Sequence, residues 1–241
     1  MRKTKIICTL GPASTSEEML EKMLKAGMDV ARVNFSHGTH EGHGKTIDLF
    51  RKVRDNLGMS AAVMLDTKGP EIRTGDFEGG AAMLKNGEIF TLTTENVLGN
   101  AEKVSITYAS LPGELKEGDE VLIDDGKLRL KVMKTTRTDI ICRVVTGGPI
   151  SNHKGINVPN VALSMEYLSP ADKDDLIFGI EKDVDYVAAS FVRRADDVNR
   201  LRNFLEENGG SDIKIISKIE NIEGIDNFEE LENPSNEAVK K

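Results

Sequence analysis

Three short segments of this chain concentrate side chains able to hold a phosphate or a hard cation. The first is Arg32-Val33-Asn34-Phe35-Ser36-His37-Gly38. Successive side chains of an extended backbone point to opposite faces, so Arg32, Asn34 and Ser36 share one side. A guanidinium there can clamp a phosphate or carboxylate through two parallel hydrogen bonds. The oxygens of Asn34 and Ser36 suit a hard cation. The second segment is Asp66-Thr67-Lys68-Gly69-Pro70-Glu71-Ile72-Arg73. It offers Asp66 and Thr67 as further oxygen ligands and Arg73 as a partner for a nucleotide phosphate. The third is Ser217-Lys218-Ile219-Glu220-Asn221, in which Lys218 and Glu220 alternate onto one side. An ammonium beside a carboxylate is a sensible pair for stabilising an enolate and holding Mg²⁺. Singly, each segment also reads as ordinary surface chemistry: a capped polar strand end, a solvated loop, a surface ion pair. Their joint placement at strand ends favours a site.

The elements that must position them alternate between strand and helix. Residues 5–10 form a short apolar run, and Thr15-Ser16-Glu17-Glu18 has the pattern of a capping box. Met19, Leu20, Met23 and Leu24 then recur at helical spacing until Gly27. Residues 29–35 read as a strand, 40–57 as a helix and 61–65 as a third strand. This order means parallel strands with crossover helices. In such folds sites form where strands end and helices begin.

From Gly69-Pro70 the pattern changes. Residues 70–157 show no convincing helix, and short alternating runs appear at 88–94, 104–108, 120–123, 128–133 and 139–145. Turns such as Lys85-Asn86-Gly87 and Asp125-Gly126 separate them. A small all-β barrel or sandwich is expected there, able to fold by itself. After Val158-Pro159 the strand–helix alternation returns. Ser169-Pro170 reads as the N-cap and first residue of a helix through Ile180. A strand at 185–189, a helix at 195–207, a strand at 213–217 and a further helical stretch follow. Residues 232–241 read as a polar tail. The expected division is thus 1–69 and 158–231 for an α/β barrel domain, with 70–157 inserted. About five parallel strands are visible, against the eight of a closed (β/α)₈ barrel.

Bulk properties narrow the class. The chain has 241 residues, 39% hydrophobic and 30% charged, with a formal net charge of −8. That balance argues against nucleic acid as a partner. No run approaches the ~18 apolar residues of a membrane span, and the N-terminus has no apolar secretion core. A cytoplasmic location is expected. Cys8 and Cys142 each sit in an apolar run and read as small buried hydrophobes. His37, His40, His43 and His153 lack a metal-ligand spacing, and His40 and His43 read as surface residues. Gly-rich phosphate loops are absent.

Seven segments resemble the pyruvate kinase family in its order and spacing. They are Lys5-Ile6-Ile7-Cys8-Thr9-Leu10-Gly11-Pro12-Ala13-Ser14, Val30 to Gly38, Leu65 to Gly75, Ile123-Asp124-Asp125-Gly126, Lys154-Gly155-Ile156-Asn157-Val158-Pro159, Ala188-Ala189-Ser190-Phe191-Val192 and Lys218-Ile219-Glu220-Asn221-Ile222-Glu223-Gly224. The resemblance implies a (β/α)₈ barrel with a mobile β-domain inserted after its third strand, acting as a lid. It implies a glycolytic transferase that moves a phosphoryl group from phosphoenolpyruvate to ADP, giving pyruvate and ATP, with Mg²⁺ (or Mn²⁺) and K⁺. Carried over by position, Arg32 and Lys218 bind the substrate, and Lys218 is the catalytic residue. Glu220 binds Mg²⁺. Asn34, Ser36, Asp66 and Thr67 hold K⁺, with Glu71 matching the K⁺-dependent form. Asn34, His37, Arg73 and Lys154 contact the nucleotide. The family is usually homotetrameric.

The resemblance runs to about Glu230. The family's next barrel strand, ending in Gly-Asp-Leu-Gly with a second Mg²⁺ ligand, is not found here, nor is its carboxy-terminal domain. A truncated chain inactive by itself is therefore expected. Two other readings stay open: a non-catalytic remnant that binds phosphoenolpyruvate, nucleotide or a kinase subunit, and a half that complements a separate carboxy-terminal half.

Overall fold

The computed structural model describes residues 3–159, 161 and 163–232. They fall into two units, residues 1–70 with 166–241 and residues 71–165.

The first unit is built on strands β1 (Ile7–Thr9), β2 (Val30–Asn34) and β3 (Ala62–Asp66), linked by helices α1 (Glu17–Ala26) and α2 (His40–Asn56). Thr15 to Glu18 has the capping-box pattern, but Ser16 is the N-cap of α1. Its side chain accepts from the Met19 N–H at 3.2 Å. The reciprocal position is then Met19, which has no acceptor, so the cap is one-sided. Gly27 closes α1 in a left-handed conformation (φ 107°), its N–H donating to the carbonyls of Met23 and Leu24.

The second unit holds strands β4 (Ile72–Arg73), β5 (Ala81–Leu84), β6 (Ile89–Thr93), β7 (Lys103–Ser105), β8 (Glu120–Ile123), β9 (Leu128–Thr135), β10 (Asp139–Thr146), β11 (Gly148–Ser151) and β12 (Gly155–Asn157). They form a seven-stranded sheet ordered β4-β12-β8-β9-β10-β6-β7, and β5 pairs with β11. Alternation does the work expected of it. Leu128, Leu130 and Val132 of β9 and Ile140, Cys142 and Val144 of β10 are buried in one apolar core, while Arg129 and Lys131 face out. Contrary to the helix-free expectation, one turn, α3 (Leu111–Glu114), forms here, with Pro112 near its start. Four residues are too few for a 3.6-residue periodicity to show. Strands as short as β4 and β12 escape the period-2 pattern for the same reason.

The chain then returns to the first unit through helix α4 (Pro170–Glu181), strand β13 (Tyr186–Ala189), helix α5 (Ala195–Glu207), strand β14 (Lys214–Ser217) and the short helices α6 (Ile222–Asp226) and α7 (Phe228–Glu232). Ser169 is the N-cap of α4 and Pro170 opens it, as expected from sequence, and Asp172 completes a capping box with Ser169. Residues 233–241, most of the expected tail, lie outside the described residues.

The five strands of the first unit form one parallel sheet ordered β1-β2-β3-β13-β14. It curls as part of an eight-stranded barrel would, which matches the fold class read from sequence. Ala31 and Val33, Val63 and Leu65, and Val187 and Ala189 pack with Leu20, Leu24, Phe50, Leu201 and Leu205 of the helices in a single core. The residues between them therefore face the concave side. Register completes the placement: Thr9 lies opposite Arg32, Asn34 opposite Asp66, and Asp66 opposite Ala188.

Cys142 is fully buried, and burial pushes its thiol up to about 12. At about pH 8 it is protonated and not nucleophilic, whereas Cys8 is partly exposed. Ellman's reagent near that pH should therefore titrate one thiol of the native chain promptly and the second only in denaturant. Prompt reaction of both thiols in the native state would contradict the packing of β10.

Candidate active site

Polar residues from the concave side of the parallel sheet, in its strands or one residue beyond their ends, meet around one carboxylate. Asp66, the last residue of β3, is 1% exposed. Its Oδ2 accepts from Arg32 Nε at 2.7 Å, and Arg32 Nη2 is bound to the same oxygen. Its Oδ1 accepts from Lys218 Nζ at 3.0 Å. Arg32 Nη1 also donates to Thr9 Oγ1 at 2.6 Å. One buried anion thus holds two cations, from β2 and from the residue after β14, on the same side of the sheet.

Lys218 has two further neighbours. Its Nζ donates to Ser190 Oγ at 2.9 Å and lies 3.3 Å from Glu220 Oε1. Ser190 is itself gripped by the end of β3. Its N–H donates to Thr67 Oγ1 at 3.1 Å and its Oγ–H to the Thr67 carbonyl at 2.6 Å. Gly69 passes so close that a Cβ there would stand 2.9 Å from the Ser190 carbonyl oxygen, and its φ of +72° is one that glycine alone adopts readily. The Gly69 N–H donates to Asp172 Oδ1 at 3.0 Å, so the cap of α4 also anchors this loop. Glu220 Oε2 accepts from the Phe191 N–H at 3.1 Å.

Of the residues singled out from sequence, Arg32, Asp66, Thr67, Lys218 and Glu220 come together in this cluster. Asn34 sits next to Asp66 in register, and its Oδ1 accepts from the Ser36 N–H at 3.0 Å in a local turn. His37 is exposed. Arg73, Glu71 and Lys154 belong to the other unit. There Arg73 makes a two-pronged pair with Glu71 at 2.8 and 3.0 Å, and Lys154 pairs with Asp124 at 3.0 Å. Asp124 is held below the usual carboxylate range by hydrogen bonds from Lys127 and Lys154.

Two residues of the cluster have no role in the sequence reading. Ser190 lies one residue beyond β13 and Thr9 ends β1. Their position at strand ends with concave-side parity was the available signal. His40 and His43 are a correction. They are half-buried rather than on the surface. His40 Nε2 lies 2.6 Å from Asp175 Oδ1 and its ring stacks on Phe178 at 4.6 Å. His43 packs 4.3 Å from the Phe35 ring, and burial lowers its pKa. The acidic partner sits 135 residues away in sequence, beyond the reach of any local spacing rule.

The donor types bear on metals. Glu220 is the one carboxylate beside Lys218 not shared between cations, and among the described residues no three His, Cys, Asp or Glu side chains form a metal-binding group. A single carboxylate fits Mg²⁺ in type, with waters and a ligand's phosphate oxygens completing its octahedron. Asn34, Ser36 and Thr67 supply neutral oxygens of the kind a hard monovalent cation takes. Both Asp66 oxygens are already engaged by Arg32 and Lys218.

The family profile described as pyruvate kinase, barrel domain, matches residues 1–238. The chain belongs to the pyruvate kinase family. It is 50% identical over 233 residues to a pyruvate kinase of Staphylococcus haemolyticus, covering 96% of this chain and 40% of that protein. It is 49% identical over 232 residues to one of Clostridium perfringens, covering 96% and 49%. A crystal structure of a pyruvate kinase from Cryptosporidium parvum superposes with a TM-score of 0.88 at 41% identity, over 95% of this chain and 48% of that one. The chain therefore spans less than half the length of these relatives.

Asp66→Asn keeps the shape of the side chain but removes the charge that Arg32 and Lys218 share. Loss of one partner of a buried ionic cluster is expected to lower stability by about 3 kcal/mol, read from urea denaturation. A change below about 0.5 kcal/mol would mean that the cations do not depend on this carboxylate.

Proposed function

We propose that this chain carries the phosphoenolpyruvate side of a pyruvate kinase, which transfers a phosphoryl group to ADP and leaves pyruvate and ATP. The observation that carries this reading is the Asp66 carboxylate holding Arg32 and Lys218 together. Two preset cations on one side of a sheet are what a substrate phosphate requires. Their own positioning is already secured, so little reorganisation accompanies binding.

In this reading Arg32 and Lys218 bind the phosphate of phosphoenolpyruvate. Lys218 is also the catalytic residue: its ammonium stabilises the negative charge that builds on the transferring group and on the enolate oxygen. Ser190 and Asp66 hold that ammonium in place. Glu220, fixed by the Phe191 N–H, would be the protein ligand for Mg²⁺ or Mn²⁺, which would supply positive charge to offset that of the transferring phosphoryl group. Asn34, Ser36, Asp66 and Thr67 surround K⁺, with Asp66 serving it in addition to the Arg32 and Lys218 side chains. Arg73 and Lys154, with Asn34 and His37, meet the nucleotide phosphates. The unit at residues 71–165 acts as the lid that excludes water. A glycolytic, cytoplasmic role and assembly into a homotetramer go with the family.

A second reading is favoured by one observation. Strand β14 lies at the end of the sheet, and Ile216, Ile222, Ile225 and Phe228 beside it are exposed. An apolar rim at a sheet edge is suited to being covered by further polypeptide, in the same chain or in a separate one.

With one carboxylate for Mg²⁺ in the described cluster, the 241-residue chain by itself is expected to bind phosphoenolpyruvate with Mn²⁺ but not to turn it over. Calorimetric titration should show this binding weakened at least about tenfold by Lys218→Met. A lactate-dehydrogenase-coupled assay with ADP, Mg²⁺ and K⁺ should stay at background. Lys218-dependent turnover would refute the inactivity, and equal binding by Lys218→Met would refute the site. Recovery of turnover on adding a separately expressed carboxy-terminal half of a relative would establish the second reading.

A further inference from the structure

Tyr167 is 3% exposed and belongs to none of the segments that carry the family resemblance. Its hydroxyl donates to the Ser190 carbonyl at 3.0 Å. The same peptide unit, between Ser190 and Phe191, carries the N–H that donates to Glu220 Oε2 at 3.1 Å. The carbonyl and the N–H of a planar trans peptide point in opposite directions. One hydrogen bond from Tyr167 therefore fixes which way the N–H at the other end points.

That peptide is a natural candidate for flipping. Phe191 has φ of 54°, the left-handed region that bulky residues avoid. Turning the Ser190–Phe191 peptide over would relieve Phe191, at the price of presenting a carbonyl oxygen instead of an N–H to the Glu220 carboxylate. The surroundings of Tyr167 are built to resist this. Its ring lies under the Arg193 guanidinium at 6.0 Å. Arg193 is held in a buried two-pronged pair with Asp197 at 3.0 Å on each prong. Burial pushes the Tyr167 hydroxyl far above its ordinary pKa, so it stays a donor across any ordinary pH.

We propose that Tyr167 is a positioning residue for the divalent-cation site. It acts through the Ser190–Phe191 peptide to aim the Phe191 N–H at Glu220. The chain tyrosine hydroxyl, peptide carbonyl, peptide N–H and carboxylate is one hydrogen-bonded relay, each bond polarising the next. It holds Glu220 in a single orientation, and the same peptide plane anchors Ser190, whose Oγ meets Lys218. This rests on the proposed role of Glu220 as the divalent-cation ligand.

The test uses the full chain labelled with ¹⁵N-phenylalanine, and Mn²⁺ alone as probe, its binding read by electron paramagnetic resonance. Tyr167→Phe removes only the hydroxyl. It should move the Phe191 amide resonance upfield, speed its hydrogen exchange and weaken Mn²⁺ binding by about tenfold, as loss of an outer-shell partner does. Glu220→Gln should shift the same amide and abolish the binding. Tyr108→Phe, a hydroxyl loss in the other unit where Tyr108 donates to Glu114, should change neither readout.

A Tyr167→Phe chain with a lowered melting temperature but unchanged Phe191 amide and Mn²⁺ affinity would overturn the proposal, because packing alone would then explain Tyr167. Failure of the unsubstituted chain to bind Mn²⁺ would overturn the metal role of Glu220, while the Phe191 amide still decides the role of Tyr167. Should Tyr167→Phe not fold, the unsubstituted chain answers instead: a Phe191 amide exchanging as fast as an open loop would refute the relay.

Discussion

Asp66 is buried and accepts from a different cation at each of its oxygens, Arg32 at one and Lys218 at the other. A carboxylate taken out of water is costly unless its charge is matched and its lone pairs are filled. Here both conditions are met by Arg32 and Lys218, the side chains proposed to bind the substrate phosphate. The same pairing that makes Asp66 tolerable inside the sheet brings two positive groups to one place and keeps each from the competing partners of an open surface. Arg32, Lys218, Asp66 and Glu220 together are formally neutral, a balanced cluster with its cations already oriented.

The parallel sheet is what makes that pairing possible. Asp66 ends β3, Arg32 is in β2, and Lys218 follows β14 two strands away. Only a parallel register puts such ends side by side at one rim. The rim is then braced from behind. Ser190 is tied to Thr67 through both its N–H and its hydroxyl, Gly69 fits beneath it, and Asp172 ties the Gly69 backbone to the first turn of α4. Apart from Asp172, these contacts are made by neutral groups. They remove the freedom that would otherwise let its charged members drift.

The unit at residues 71–165 has its own apolar core, drawn from Phe90, Leu92, Leu130, Ile140 and Cys142 among others. Two of its cationic residues, Arg73 and Lys154, are each paired with a carboxylate of the same unit. An anionic nucleotide engaging them would have to compete with Glu71 and Asp124. The cost of that exchange is modest for groups near solvent, and it keeps these cations from unselective partners.

Much of this was legible in the residues themselves. The alternation of Ala31 and Val33 with Arg32 and Asn34 determined which side of β2 faces the core. Ser169 and Pro170 marked the start of α4, and seven ordered segments determined the family. The elements α3 and β4 were not legible, because a single helical turn shows no 3.6-residue recurrence and a two-residue strand shows no alternation. Tertiary structure alone decided that Asp66 turns both oxygens to cations, that His40 meets Asp175, that Ser190 meets Lys218 and that Tyr167 reaches the Ser190 carbonyl. Each of these joins residues from different elements through strand register and helix docking. A sequence pattern records which face a residue occupies on its own element; it holds no record of what the neighbouring element places opposite.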